Sequence, residues 1–326
     1  MASPPLLPFN FQPVRICSSM SDFNIRDTYL QFLAEDPEMT MPIAAIESLV
    51  AMIRQKQPQT SLELLNLVKS NIDDLKAQIL NSISLSAGCD LFMRFVLKNI
   101  NLYNDWGLCR SNLVENGELF VQRAKESRAK LAKLGVRFID DDDCILVHSY
   151  SRSVLQLLRE AKANLIRFRV MVTESRPTGE GYRMAKALKA YDIPAEVIVD
   201  TAVGFVIHSV DKIFVGAEGV AESGGIINHI GSYQIGCLAK INHKPFYVAA
   251  ESHKFVRMFP TAPNDLPASV QNDQDRSQCC DANEADMLTT YTTDYTPDEY
   301  VTALITDLGV LTPSAVSEEL IKVWYD

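Results

Sequence analysis

The chain has 326 residues, of which 47% are apolar, and a formal net charge of -10 at pH 7. This length and apolar content are enough to bury one or two large cores, which predicts a folded globular protein. Because the sequence is acidic and shows no run of basic residues, it excludes a dedicated nucleic-acid-binding protein, which needs a basic face to neutralise phosphates.

Seven cysteines are scattered along the sequence without a C-x-x-C pair. This odd number and irregular spacing are typical of reduced thiols and indicate a cytoplasmic protein. The five histidines show no ligand spacing, so we expect no metal site. No apolar run approaches the roughly 18 residues that a membrane span requires, so we expect no membrane-spanning segment.

Residues 1–21 contain four prolines and are expected to form a flexible tail. From residue 22 to about residue 139, apolar residues recur at helical spacing, as Ile46, Leu49 and Ile53 do. Prolines interrupt this pattern, so several helices are expected rather than one long helix. The first part of the chain is therefore predicted to be a helical N-terminal domain.

Short apolar segments alternate with helical segments in residues 140–326. Strands are predicted at 144–149, 168–173, 196–200, 212–217 and 246–250. Such alternation predicts an α/β fold with a parallel sheet that is covered by helices on both faces. The polar, acidic stretch 261–299 interrupts the alternation and is expected to be a long loop or an insertion.

Ligands bind open parallel sheets at the carboxyl ends of the strands, where loops and helix N-termini meet. The candidate binding residues that follow the predicted strands are Arg152, Glu174, Arg176, Glu218, Gly224, Gly225, Asn228, His229 and Lys254. Three cations and the backbone amides of the Gly224-Gly225 turn are typical of a site for a phosphate on a small sugar-like anion. Taken singly, each residue also fits a structural role, since glycines permit tight turns and cations are common on surfaces.

Catalytic motifs are weak in this sequence. His148 and Ser149 are neighbours in a predicted strand and point to opposite faces, which argues against a Ser-His dyad. Glu174 and Glu218 can act as an acid/base pair only if the fold brings them together. The glycine spacing matches neither a dinucleotide-binding fingerprint nor a Walker loop.

Several long segments resemble the alpha subunits of eukaryotic translation initiation factor 2B. They are residues 145–152, 172–177, 214–231, 244–260 and 304–325, together with 36–50 and 115–128 in the helical part. The resemblance covers about residues 22 to 326. It implies a helical N-terminal domain at 22–139 and a Rossmann-like C-terminal domain at 140–326, assembled as a homodimer.

The resemblance also implies a function. In that family the alpha dimer joins two halves of a guanine-nucleotide exchange factor that contains beta, delta, gamma and epsilon subunits. The alpha subunit is regulatory, and it makes exchange responsive to initiation factor 2 phosphorylated on its own alpha subunit. A non-catalytic protein without a cofactor is therefore expected.

Sugar-phosphate isomerases share this fold and resemble the chain around Ser149 and Glu218. Those enzymes carry a Cys and an Asp at these positions, so the resemblance implies that the catalytic pair is lost. A serine hydroxyl does not shuttle protons at neutral pH without an activating base, and Glu is one methylene longer than Asp. Asn228 and Lys254 match residues that grip the substrate in those enzymes, whereas His229 replaces a Lys.

The resemblance thus implies a retired active site that still holds a sugar phosphate, a nucleotide or a phosphate ion. Two alternatives remain open at this point. One is an active sugar-phosphate isomerase, and the other is a metabolite-binding module without translation partners.

Overall fold

The computed structural model describes residues 23–36, 38–79, 83–100, 106–262, 265–266 and 291–325. The predicted tail at 1–21 and most of the predicted loop at 261–299 lie outside these residues. The described end of that stretch contains a strand at Thr293–Thr296, so this part of it is not a loop.

The N-terminal part is helical, as the sequence predicted. Its helices are α1 (Ile25–Glu35), α2 (Met41–Lys56), α3 (Ser61–Gln78), α4 (Ile83–Ile100) and α5 (Trp106–Gly135). α2 carries Pro42 in its first turn, where the missing N–H breaks no helical bond. The apolar face of α2, with Ile46, Leu49 and Met52, is fully buried and forms the centre of the helical core.

The C-terminal part contains ten strands and five α-helices among the described residues. The strands are β1 (Asp143–His148), β2 (Phe168–Thr173), β3 (Ala195–Ile198), β4 (Lys212–Val215), β5 (Gly219–Val220), β6 (Ile226–His229), β7 (Phe246–Ala249), β8 (Thr293–Thr296), β9 (Ala303–Ile305) and β10 (Val310–Leu311). The helices are α6 (Arg152–Ala163), α7 (Glu180–Ala190), α8 (Val203–Val206), α9 (Ser232–Ile241) and α10 (Ala315–Tyr325).

Seven of these strands form the central sheet, in the order β10-β9-β7-β4-β1-β2-β3. Every neighbouring pair is parallel except β9 and β10. Separate apolar cores cover its two faces, which explains why the strands read as continuous apolar runs. The predicted α/β class, with a helical part before a mainly parallel sheet, is confirmed.

Among the described residues, no helix combines the length and the apolar character needed to cross a membrane.

A small antiparallel sheet, in the order β5-β6-β8, extends from the carboxyl edge of the central sheet. Asn228 of β6 pairs in register with Asp294 of β8. The Asp294 carboxylate accepts hydrogen bonds from the Gly231 N–H at 2.8 Å and the Tyr233 N–H at 3.1 Å. Asp294 therefore fixes the turn between β6 and α9, directly after His229.

Asp294 makes the stability of this turn sensitive to pH. Burial raises the pKa of Asp294 to about 7, although the two backbone donors oppose the shift. The folded protein therefore retains a proton that the unfolded chain releases near pH 3.9. Because the folded state binds more protons in this window, the contribution of Asp294 to stability is present below about pH 4 and is lost as the pH rises towards 7.

We expect Asp294→Asn to remove this loss, since the amide keeps an acceptor for the two N–H groups and has no proton to release. The free energy of unfolding of the variant, relative to wild type, should increase between pH 5 and pH 8 by on the order of 2 kcal/mol. Urea unfolding at the two pH values measures it. A constant difference between the two proteins would contradict the assignment.

Candidate functional site

A polar cavity of about 180 Å³ lies where the helical part meets the carboxyl edge of the central sheet. Both parts of the chain line it. The lining residues are Thr40, Met41, Pro42, Ser84, Arg128, Tyr150, Ser151, Arg152, Gly216, Ala217, Glu218, Asn228, His229, Glu251 and Lys254. Its position agrees with the rule that ligands bind parallel sheets at the carboxyl ends of the strands.

The chain leaves β1 through a sharp turn at Ser149, which has a positive φ of 61°. Such a torsion is uncommon for a residue with a side chain and indicates a conformation imposed by its surroundings. The turn brings Ser151 to the N-cap of α6, where its hydroxyl accepts the Val154 N–H at 3.3 Å. The first turn of α6 therefore faces the cavity through Ser151 and Arg152.

Arg152 binds the connection between α1 and α2. One of its terminal nitrogens donates to the Glu38 carbonyl at 3.3 Å and also to the Met39 carbonyl. No carboxylate of the described residues lies within ion-pair distance of it. Burial, with a smaller contribution from the nearby Arg128, lowers the pKa of the Arg152 guanidinium. A desolvated cation without a carboxylate partner is well suited to bind an anion.

Glu251 is a buried carboxylate that pairs with two cations of the cavity. Its Oε1 accepts from Arg128 Nε at 3.1 Å, and its Oε2 lies 3.2 Å from Lys254 Nζ. Burial alone would raise the pKa of Glu251, but Lys254, His253 and Arg128 together hold it well below its usual range. Arg128 also bonds Glu38 Oε2 at 2.9 Å, so this network joins α5, the α1-α2 connection and the loop after β7.

Glu218, Asn228 and His229 also line the cavity. His229 Nε2 lies 3.8 Å from Glu218 Oε1, and both side chains are partly exposed to the cavity. Asn228 is nearly buried and donates to Ser232 Oγ at 2.9 Å. The Ser84 hydroxyl of α4 donates to the Glu218 carbonyl at 2.6 Å, which ties this part of the lining to the helical part.

Five of the nine candidate binding residues meet in the cavity, namely Arg152, Glu218, Asn228, His229 and Lys254. Glu174 and Arg176 do not line it. The Glu174 carboxylate instead accepts from Arg176 Nε at 3.1 Å and from the Tyr182 hydroxyl at 3.2 Å. Glu174 and Glu218 therefore do not share the cavity as an acid/base pair.

Gly224 and Gly225 also lie outside the cavity lining. Gly224 has a positive φ of 88°, and a Cβ at this position would lie 2.3 Å from the Pro313 carbonyl oxygen. The two amides bond within the turn, to the Ala221 carbonyl at 2.9 Å and to Ser223 Oγ at 3.3 Å. The structure therefore gives Gly224 a packing role against the segment before α10 and Gly225 one against Tyr295 of β8, not the expected role of an amide cradle.

His148 and Ser149, at the end of β1, are buried and do not line the cavity. The two ring nitrogens of His148 bond Thr173 Oγ1 at 2.7 Å and the Ile230 carbonyl at 2.9 Å. Burial, reinforced by His229, lowers the pKa of His148 to about 4, so it is neutral at physiological pH. Ser149 Oγ has no hydrogen-bond partner among the described residues, and thus no base that would activate it.

Strand-end reasoning missed the residues that the helical part contributes. Arg128, Thr40 and Ser84 line the cavity from helices or helix connections, where no rule about strand ends applies. The resemblance carried a signal for Arg128, because it ends the matched segment 115–128. Spacing alone gave no reason to place this residue beside Glu251.

The fold and the site together define a class of protein in which a helical part and a Rossmann-like sheet enclose a cationic cavity. A family model described as the initiation factor 2 subunit family matches residues 34–313. The chain belongs to this family.

Relatives within the family confirm the resemblance to alpha subunits. The chain is 43% identical to the translation initiation factor eIF2B subunit alpha of Dictyostelium discoideum, covering 90% of this chain and 94% of the relative. It is 34% identical to the same subunit of Caenorhabditis elegans, covering 90% and 95%. This homology supports a regulatory subunit of translation initiation.

More distant comparisons agree with the fold. The ribose 1,5-bisphosphate isomerase of Methanocaldococcus jannaschii is 29% identical over 68% of this chain and 70% of the enzyme. The crystal structure of a Pyrococcus horikoshii eIF-2B protein has a TM-score of 0.67 and 26% identity, covering 87% of this chain and 97% of that one. A tetrameric eIF2B beta-delta complex from C. thermophilum has a TM-score of 0.73 and 18% identity, covering 92% and 94%, and shows a shared fold.

We expect Arg128→Ala to lower the free energy of unfolding by about 3 kcal/mol, because it leaves Glu251 buried with one fewer cation. A matched control is Lys125→Ala, which removes a half-exposed partner of Glu47 from the same helix. That change should cost less than about 1 kcal/mol. Urea unfolding compares the two variants, and equal losses would contradict the role assigned to the Glu251 pair.

Proposed function

We propose that the protein is a non-catalytic regulatory alpha subunit of the guanine-nucleotide exchange factor for translation initiation factor 2. In this proposal it acts in the cytoplasm as a homodimer that joins two half-complexes of beta, delta, gamma and epsilon subunits. The dimer makes exchange responsive to initiation factor 2 phosphorylated on its alpha subunit, as in the integrated stress response. The observation that carries the proposal is the alpha-subunit homology, which extends over 90% of the chain.

Exposed apolar side chains on the sheet half support association with further chains. Phe205 is 88% exposed, Ile241 73% and Phe259 69%. Large exposed apolar groups are typical of protein contact surfaces, and closed twofold pairing is the commonest arrangement of identical chains. Val256, close to Phe259 in the sequence, is buried in a core and does not belong to this exposed set.

The geometry of the cavity supports the absence of isomerase catalysis. The position of the enzymes' catalytic Cys holds Ser149, which is buried outside the cavity lining and has no activating base. The position of their Asp holds the longer Glu218, whose carboxylate faces His229. Since a misplacement of about 1 Å can cost on the order of 100-fold in rate, both departures oppose turnover.

Anion binding is the second element of the proposal. Arg152, Lys254 and Arg128 converge on the cavity, and Asn228 and His229 complete a polar wall. Arg152 lies in the first turn of α6, where the helix dipole also favours negative charge. The site therefore suits the phosphate of a sugar phosphate, of a nucleotide or of a free phosphate ion.

The regulatory role is tested with complexes assembled from the four other subunits, with and without this protein. Adding the protein should double the mass of the complex by light scattering. It should also make nucleotide release from initiation factor 2 sensitive to phosphorylation of that substrate. The same inhibition by phosphorylated substrate in both complexes would overturn the regulatory assignment.

Anion binding is tested separately by calorimetry with ribose 5-phosphate, in wild type and in Lys254→Ala. We expect wild type to bind, and a hundredfold excess over Kd to stabilise it by about 2.7 kcal/mol. Lys254→Ala should bind at least about tenfold more weakly, since a charge-assisted contact is lost. If wild type does not bind ribose 5-phosphate, or if the variant binds it equally well, the anion-binding role of the cavity is overturned. Separately, isomerisation of ribose 1,5-bisphosphate above an enzyme-free control would contradict the non-catalytic assignment.

A further inference from the structure

Glu251 is an unusual component for an anion site, because it places a negative charge against two of the cations. Its side chain is 1% exposed, and it lies within 3.2 Å of nitrogens of both Arg128 and Lys254. The pKa of Glu251 is held below its usual range, so the residue stays ionised at neutral pH. Among the described residues, no donor has hydrogen-bond geometry to Oε2, and Lys254 Nζ lies 3.2 Å from this buried oxygen.

Glu251 strongly affects the charge balance of the cavity. The lining contains three permanent cations, Arg128, Arg152 and Lys254, and two carboxylates, Glu218 and Glu251. The formal charges of these five side chains leave one positive charge in excess in the lining, and the exposed Glu38 outside the lining also pairs with Arg128 at 2.9 Å. Removing the charge of Glu251 alone would double this excess. The Glu251 side chain is 1% exposed, whereas that of Glu218, the other carboxylate of the lining, is 37% exposed. Solvent therefore screens the charge of Glu251 less than that of Glu218.

We propose, building on the anion-binding function above, that Glu251 determines specificity by limiting the cavity to ligands that carry a single phosphate. A phosphate monoester carries roughly -1.5 to -2 charges, which the excess cation and the donors of the wall already match. A second phosphate would add a similar charge inside the same cavity of about 180 Å³, within a few ångströms of a carboxylate that water does not screen. Glu251 thus opposes doubly phosphorylated ligands more strongly than singly phosphorylated ones.

The test compares wild type with Glu251→Gln, which preserves the shape of the side chain and removes its charge. Calorimetry measures the Kd of ribose 5-phosphate and of ribose 1,5-bisphosphate. We expect the Kd of ribose 1,5-bisphosphate, relative to that of ribose 5-phosphate, to fall by on the order of tenfold in the variant. The affinity of the variant for inorganic phosphate should also depend more steeply on salt concentration, because more unmatched cations face the ligand.

Two further variants separate this role from a structural one. Glu47→Gln is the matched control, since it removes a carboxylate that pairs with Lys125 on α5 outside the cavity, and it should leave both readouts unchanged. Arg128→Gln removes one cation while Glu251 remains, so it should raise the Kd of ribose 1,5-bisphosphate relative to that of ribose 5-phosphate. If Glu251→Gln does not fold, wild type decides the question, since tighter binding of ribose 1,5-bisphosphate than of ribose 5-phosphate would overturn the proposal.

The outcomes are distinguishable from those of the anion-binding proposal itself. If wild type binds none of the three probes, the anion site fails and this inference fails with it. If wild type binds but the Kd ratio stays within about twofold in Glu251→Gln, only the role of Glu251 is overturned. If ribose 1,5-bisphosphate binds neither wild type nor Glu251→Gln, the salt dependence of phosphate binding decides. The same dependence in both proteins would overturn the role of Glu251.

Discussion

The contact between Arg128 and Glu251 is the constraint on which the rest of the site depends. Arg128 comes from the last third of α5, whereas Glu251 follows a strand of the sheet, so their ion pair fixes the two parts of the chain against each other. A buried pair of this kind adds little net stability over apolar packing, but losing one partner is costly. The pair therefore enforces one relative position of helices and sheet, and that position creates the cavity.

The central sheet and the helical part each supply residues that line the cavity. The parallel sheet brings Arg152, Glu218 and Lys254 to one edge because all its central strands end there. The helical part adds Ser84 and the α1-α2 connection, which the two arginines hold by its carbonyl groups. Cations that bind backbone carbonyls as well as carboxylates keep their orientation without being fully neutralised, which preserves their attraction for an anion.

The sheet was largely predictable from sequence because its strands are short apolar runs that only burial on both faces explains. The predicted starts and ends of β1, β2, β4 and β7 agree with the structure to within two residues. The members of the cavity were predictable only where they follow strands. Gly224 and Gly225 were misplaced because their roles depend on Pro313 and Tyr295, which lie almost 90 and 70 residues further along the chain. Non-local packing of this kind leaves no trace in local spacing.

The helix α10 gives a local example of the same limit. Thr312 and Pro313 have the composition of a helix start, yet α10 begins at Ala315. The Val316 N–H bonds the Pro313 carbonyl at 3.2 Å, which closes a tighter turn ahead of the helix. The backbone of Pro313 packs on Gly224 of the β5-β6 connection, so tertiary contact overrides the local signal.

The helix α5 has 30 residues, which corresponds to a length of about 45 Å. Residues up to Ala124 belong to the helical core, and residues from Leu131 belong to a core of the sheet. Because α5 contributes to both cores, neither half of the protein can be separated from the other without exposing apolar surface along this helix. The protein should therefore melt in a single cooperative transition, and a force applied to the outer helices would be transmitted as a tilt of α5 to the wall that holds Arg128.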